Sequence, residues 1–331
     1  MMKSGILILS LVLVAQVVLA VTFNLNRAEH GAFQSQEKLL ATDPAAADAV
    51  VIEGEEARIR LTRDDGVWRL PESHGFPASG SKVEQVMAEL AALQKGWPVA
   101  TSADAAQRFK VASQAFERKI VFQQGDSEVA TLYMGTSPGF RKIHARLEGE
   151  NEIYAVPFSA YQAGVEAGDW LDAEFLKLDT QDISAVQLPD VKLQRESDGV
   201  DVVDLAADEE TVKSEAEGVL RKLAELRVQE VLGNEPDARF RQDEPALSAS
   251  VTLKDEQTLT YTFSKPQDAD YYVVKRSDQP YFLKVAAFTV DDIKAIDRET
   301  LVASVAAEDS VASDDVGADS DINAGIVDDL E

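Results

Sequence analysis

Apolar residues crowd the start of the chain and stand thinly among carboxylates at its end. From Gly5 to Phe23 the sequence runs GILILSLVLVAQVVLAVTF, without a charge and with only Ser10, Gln16 and Thr22 as polar positions. About 20 apolar residues are what a helix needs to cross a bilayer core. The pattern therefore predicts a transmembrane anchor within residues 1–25. The first charged residue before the run is Lys3 and the next after it is Arg27; a short N-terminus with one lysine favours the N-in orientation. The bulk of the chain then lies outside the cytoplasm, in a periplasmic setting on the inner membrane. The rival reading is a cleaved signal peptide, with Val18-Leu19-Ala20 as the small-residue site. Residues 26–48 read as a linker.

Beyond the linker the periodicity changes twice in each half of the chain. Short alternating stretches at Ala49–Ile52, Ala57–Thr62 and Val67–Leu70 predict strands. They are followed by an amphipathic helix from Ser81, carrying Val86, Met87, Leu90 and Leu93 on one face. Four more strands follow, Lys119–Gln123, Val129–Met134, Lys142–Leu147 and Ile153–Val156. The same order recurs later in the chain. Ile183–Leu188, Val191–Arg195 and Val202–Leu205 precede a helix from Lys213 with Val219, Leu220, Leu223 and Leu226, each 133 positions after its counterpart. The strands Ala249–Leu253, Thr258–Phe263, Tyr271–Lys275 and Tyr281–Val285 complete the second series.

Asp65-Gly66 and Asp198-Gly199 read as matching hairpin turns, because glycine accepts a positive φ. The same alignment sets Asp201 where Trp68 falls and Tyr281 where Tyr154 falls. Ser159 and Gln162 form a capping-box pattern after Phe158; Thr289 and Asp292 after Phe288 are its expected counterpart. An α+β fold follows: an N-terminal span, then two tandem repeats of an antiparallel sheet packed by an amphipathic helix. The repeats cover 49–178 and 183–303.

Residues 304–331 form an acidic tail with nine carboxylates and no basic residue, a composition that predicts disorder. Within it Asp319, Asp321 and Asn323 alternate as the oxygen ligands of a calcium loop do. The following Gly325 and Glu331 each fall one place late for that loop, so a solvated tail is the plainer reading. The net charge of −27, from 59 acidic and 32 basic residues, excludes nucleic acid as a partner, since no Lys/Arg cluster is present in sequence. There is no cysteine, hence no disulfide and no lipid-modified thiol. Repeat one is closer to neutral than repeat two, at 14 basic against 19 acidic residues compared with 15 against 25. It is the better candidate for a contact surface, because charge is costly to bury at an interface core.

Chemistry is sparse. Only His30, His74 and His144 are present, scattered, and the alternation around His144 sets it facing solvent. There is no nucleophile-elbow pattern, no His/Cys spacing for zinc and no phosphate-loop signature. Gly135–Gly139 (GTSPG) lacks the following lysine and reads as a strand-joining turn. No catalytic residue, cofactor or metal is expected, and the protein reads as a non-enzyme.

Several of these residues carry a likeness. Gly66-Val67-Trp68-Arg69-Leu70, the helix Val83–Leu93 leading to Trp97-Pro98-Val99, Leu132-Tyr133-Met134-Gly135, Arg141 and Arg146, and Ile153–Val156 resemble the domain of unknown function 4340 family. The likeness covers most of the first repeat and little of the second. It implies a single-span, extracytoplasmic protein without assigned chemistry. Members resemble components associated with ABC-type transport systems of the gliding-motility kind, so the implied partners are a membrane and transporter subunits. The function expected is that of an accessory or scaffold protein. The alternative is a ligand-binding module for a solute or cell-wall fragment.

Overall fold

The computed structural model describes residue 16, residues 37–139 and residues 141–305. Apart from Gln16, the hydrophobic run over 5–23 lies outside the described residues. So do the tail beyond Val305 and Asp319, Asp321 and Asn323 within it. Among the described residues no helix is long and apolar enough to cross a membrane.

Strands dominate, in two large antiparallel sheets. The first begins with β1 (Ala49–Glu53), β2 (Arg58–Asp64), β3 (Val67–Leu70) and the two-residue β4 (Phe76–Pro77). Helix α1 (Gly80–Ala91) and the short helix α2 (Ala103–Arg108) follow, then a small hairpin of β5 (Val111–Ala112) and β6 (Ala115–Phe116). The chain returns as β7 (Arg118–Gln124), β8 (Ser127–Met134), β9 (Ile143–Leu147) and β10 (Tyr154–Val156). The order is β10-β9-β8-β7-β1-β2-β3-β4.

The second sheet uses β11 (Ile183–Gln187), β12 (Lys192–Glu196) and β13 (Gly199–Val202). After β14 (Glu209–Thr211), helix α3 (Lys213–Ala224) and β15 (Glu230–Gly233) come β16 (Leu247–Leu253), β17 (Thr258–Ser264), β18 (Tyr271–Arg276) and β19 (Phe282–Ala286). Its order is β13-β12-β11-β16-β17-β18-β19-β15. Helices α4 (Ala287–Lys294) and α5 (Arg298–Leu301) lead to β20 (Val302–Ser304), which pairs with β14. Ser304 thus belongs to a strand rather than to a tail.

The two orders are the same route drawn twice. A three-stranded meander leads to a long helix, and a later strand, β7 in one sheet and β16 in the other, returns to lie against the first and starts a four-stranded meander outward. The sheets differ at their additions: β4 extends β3 in one, and β15 extends β19 in the other. On α1 the buried positions are Val83, Val86, Met87 and Leu90; on α3 they are Ala216, Val219, Leu220, Leu223 and Ala224. Both stripes follow the spacing of a single helical face.

Registers correct the alignment read from sequence. Arg63 lies opposite Trp68, and Arg195 lies opposite Val200. Val200, fully buried, therefore stands where Trp68 stands, and Asp201 is one place further on. The cause is the turn: Asp65 and Gly66 both take positive φ, whereas the second hairpin turns at Ser197-Asp198 and Gly199 already lies in the strand. Likewise Ala145 pairs with Tyr154, and Val274 pairs with Leu283, so Leu283 rather than Tyr281 matches Tyr154. The paired caps also part company. Gln162 accepts from the Ser159 amide at 2.9 Å, as expected. Helix α4, however, starts at Ala287, which leaves Thr289 inside it and Phe288 pointing out, 72% exposed.

Residues 37–48 are not a free linker. Leu39 and Leu40 are buried, the Leu39 amide donates to the Leu93 carbonyl at 2.7 Å, and Lys38 bridges to Gln94. Lys95 then reaches Glu37 and Glu150 at 3.2 and 3.1 Å, closing this strap over the end of α1.

One continuous core joins the two sheets. At the junction Phe76, Phe175 and Tyr281 meet, with ring centroids 4.7 Å apart for the first pair and 5.0 Å for Phe76 and Tyr281. Arg276, 6% exposed, donates to the Leu176 carbonyl at 2.9 Å and pairs with Asp278 at 2.6 Å. Each sheet also carries a small cluster apart from that core. In the first it is Ala105, Ala106, Val111, Tyr133 and Ile153; in the second, Phe240, Val273 and Phe282.

Candidate functional site

The first of these clusters overturns one expectation. His144 is 6% exposed, its ring stacked on Phe109 at 4.0 Å, with Nδ1 3.0 Å from the Thr136 hydroxyl. Strand alternation alone turns it away from the core. The segment carrying α2, however, folds over that face, so both faces of β9 are covered. The matching position in the second sheet is Val273, fully buried. His74, by contrast, is exposed in the loop after β3, in left-handed backbone at φ 59°. Among the described residues no three His, Cys, Asp or Glu side chains gather as a metal site.

Gly135 fixes how that segment meets the sheet. A Cβ there would fall 1.9 Å from the Phe109 carbonyl oxygen and 2.3 Å from that of Lys110. The Thr136 amide donates to the same Phe109 carbonyl at 2.8 Å. The glycine thus admits another backbone to the end of β8. At the register-equivalent place the second sheet has Ser264, whose hydroxyl donates to the Phe240 carbonyl and accepts from Gln242 at 2.6 Å. One sheet uses a missing side chain and the other a hydrogen-bonding one to hold the cover.

Beside Gly135 the surface opens into a cleft of about 510 Å³. Its size falls within the range of small-ligand pockets, roughly 300–1,000 Å³. Buried Ile143 and Phe158 line it together with Ser137, Lys142 and the short helix Ala160–Gln162. Its charged lining is Lys110, Arg118, Arg141 and Lys142 with Glu55 and Glu117. Arg118 is half-buried and held in place: Nε donates to the Ala163 carbonyl at 3.1 Å and Nη1 to that of Glu117 at 2.6 Å. A guanidinium has five N–H groups, so three are left for other acceptors. Lys110 is 3.9 Å from Glu117, a loose contact. Ser137 donates to the carbonyls of Gly139 and Lys142, at 2.8 and 2.7 Å, and so shapes the turn. Tyr161 stands at the rim, 92% exposed.

Sequence reading placed the GTSPG segment correctly as a strand-joining turn and named Arg141 only within the family likeness, without a role at a site. It singled out none of Lys110, Arg118 and Lys142. They come from three separate segments, and nothing in local spacing brings them together.

A second, more apolar groove of about 550 Å³ runs along α1, lined by Trp68, Met87, Ala88 and Ala91 with Lys38 and Arg63 at its border. Trp68 itself is buried, its ring 5.3 Å below the Arg63 guanidinium. Trp170 is buried too, its indole N–H donating to the Gly164 carbonyl at 2.9 Å. Both tryptophans are thus core residues. Tyr133, on the face that α2 covers, has its hydroxyl pushed up to about 12, by burial first and then by its hydrogen bond to Glu148. That direction keeps the phenol neutral and gives it no readiness to act as a base.

No curated protein and no solved structure matches the chain. A family model does match, over residues 68–245, from Trp68 through the whole second half of the first sheet and as far as the loop before β16. That is more than half of the chain, and the protein belongs to the family described as domain of unknown function DUF4340.

Proposed function

We propose that the protein is a membrane-anchored, extracytoplasmic accessory or scaffold subunit, without catalysis of its own, that serves a membrane complex of the ABC-transport kind. In this reading residues 5–23 are the span, the two sheets are copies of one duplicated unit, and the acidic tail is a solvated extension. The observation that carries the reading is where large apolar side chains reach solvent. Among the described residues Val67, Trp97, Val99 and Tyr161 lie exposed in the first unit, against Phe288 in the second and Val305 after it. Exposed aromatic and aliphatic groups on the less charged unit are what a protein contact uses. The alternative, a module holding a solute or cell-wall fragment, draws on the cleft beside Gly135.

The test is affinity purification of the full-length protein from membranes in mild detergent, with mass spectrometry of what accompanies it. Transporter permease or ATPase subunits should co-purify. They should be lost when Trp97→Asp and Val99→Asp are combined, while Phe288→Asp leaves them in place. Recovery of the protein alone, already soluble and shortened at its N-terminus, would sink both the anchor and the accessory role.

A further inference from the structure

In a chain of net charge −27 the cleft beside Gly135 collects four cationic side chains against two carboxylates, a local formal charge of +2. The four reach it from three segments: Lys110 just after α2, Arg118 at the start of β7, and Arg141 and Lys142 in the β8–β9 turn. Two of them, Lys110 and Arg141, sit in left-handed backbone, both at φ 53°. Such a conformation is uncommon for residues other than glycine and is held by its surroundings. At Lys110 the surroundings are plain: the Gly135 approach presses on its carbonyl, and its amide donates to the Gln107 carbonyl at 3.1 Å.

We propose that this cleft binds a phosphate ester. A planar carboxylate offers two oxygens in one plane, whereas a phosphate offers several on a tetrahedron. Cations arriving from three directions match the second shape better. A phosphate monoester also carries about −1.5 to −2 charge at neutral pH, close to the cleft's opposite charge. Arg118 is the anchor. Its two carbonyl contacts fix the plane of the guanidinium and leave three N–H donors for the anion. Lys142 and Lys110 supply mobile charge at the mouth. The exposed ring of Tyr161 offers a flat face to the rest of the ligand, above the apolar lining of Ile143 and Phe158. Glu55 and Glu117 keep the field moderate and work against a bare polyanion.

The same chemistry is presented by a dissolved phosphate monoester and by the monoester headgroup of phosphatidic acid. The proposal is independent of the accessory role: one is read by ligand binding and the other by partner recovery. The experiment is isothermal titration calorimetry on the full-length protein in zwitterionic detergent at low salt. The probes are glycerol 3-phosphate, and micelles doped with phosphatidic acid or with phosphatidylcholine. Saturable binding of glycerol 3-phosphate identifies the solute. Binding of phosphatidic acid micelles but not phosphatidylcholine micelles identifies the headgroup. Either upholds the site, provided that Lys142→Glu and Arg118→Gln each weaken it at least about tenfold and that added salt weakens it further. Lys142 is exposed and its side chain belongs to no ion pair among the described residues, so Lys142→Glu leaves the fold intact and decides the matter even if Arg118→Gln does not fold. No saturable binding of any probe, or binding unchanged in Lys142→Glu, overturns the proposal.

Discussion

At Gly135 the useful property is the space a side chain would have filled. The carbonyls of Phe109 and Lys110 occupy that space, and neither can retreat without pulling α2 and Val111 off the sheet. Gly135→Ala should therefore cost about 3 kcal/mol or more, as overpacking against backbone does. Urea denaturation at neutral pH measures it, and a loss below about 1 kcal/mol would show that the segment gives way instead. The glycine was visible in the sequence as part of a strand-end motif, but its reason was not. The contacting residues lie some 25 positions earlier, in a stretch with little periodicity of its own. His144 failed for the same cause. Alternation tells which face of a strand a residue takes, and it cannot tell that a distant segment later covers that face.

Elements with a strong period were the most legible. Val67–Leu70 has the bounds expected of it, most other strands differ by one or two residues at an end, and both long helices bury the stripe read from their spacing. Elements too short to show a period were missed: six-residue α2, the two-residue strands, and β14 with β20. Alignment of the two halves was legible along the helices, yet slipped by one residue at the hairpin and by two at the last strand. Turns, whose lengths differ between the halves, carry no hydrophobic period. The clearest misreading concerns α4. Taking Thr289, after Phe288, as the cap starts the helix too late; the structure buries Val290 and Ile293 and exposes Phe288. Phe288→Ser should change stability by less than about 0.5 kcal/mol. Val290→Ala should cost about 2 kcal/mol in lost burial and the cavity left behind. Thermal unfolding of the two variants distinguishes the assignments, and the reverse ranking would restore a helix start at Thr289 with Phe288 packed before it.

The whole molecule is held by contacts whose partners stand far apart in sequence, which is why the relation of the two sheets was not legible. Arg276 reaches back 100 residues to the Leu176 carbonyl, and Tyr281 reaches Phe76. Burial opposes the charges of both Arg276 and Asp278. Their mutual hydrogen bonds outweigh it, leaving the arginine raised and the Asp278 carboxyl held below the ordinary range. A depressed carboxyl stabilises the fold above its unfolded value, and that contribution is lost as pH falls through the folded one. Asp278→Asn should cost about 3 kcal/mol at pH 7, since it leaves a buried cation without its partner. Its deficit should shrink as the wild type is acidified into the carboxylate range. Chemical denaturation across pH measures this; a deficit independent of pH would remove the pair from the account. The strap over α1 bears on where such a body stands. It is fastened from Glu37 onward, so only the 13 residues from Asn24 to Gln36 lie between it and the proposed span. Even fully stretched, they reach about 45 Å. On the proposed anchor, that limit keeps the start of the first unit within about 45 Å of the lipid. On that reading whatever docks on the unit would have to come to the bilayer surface, and an enzyme or carrier diffusing freely beyond that shell would stay out of range.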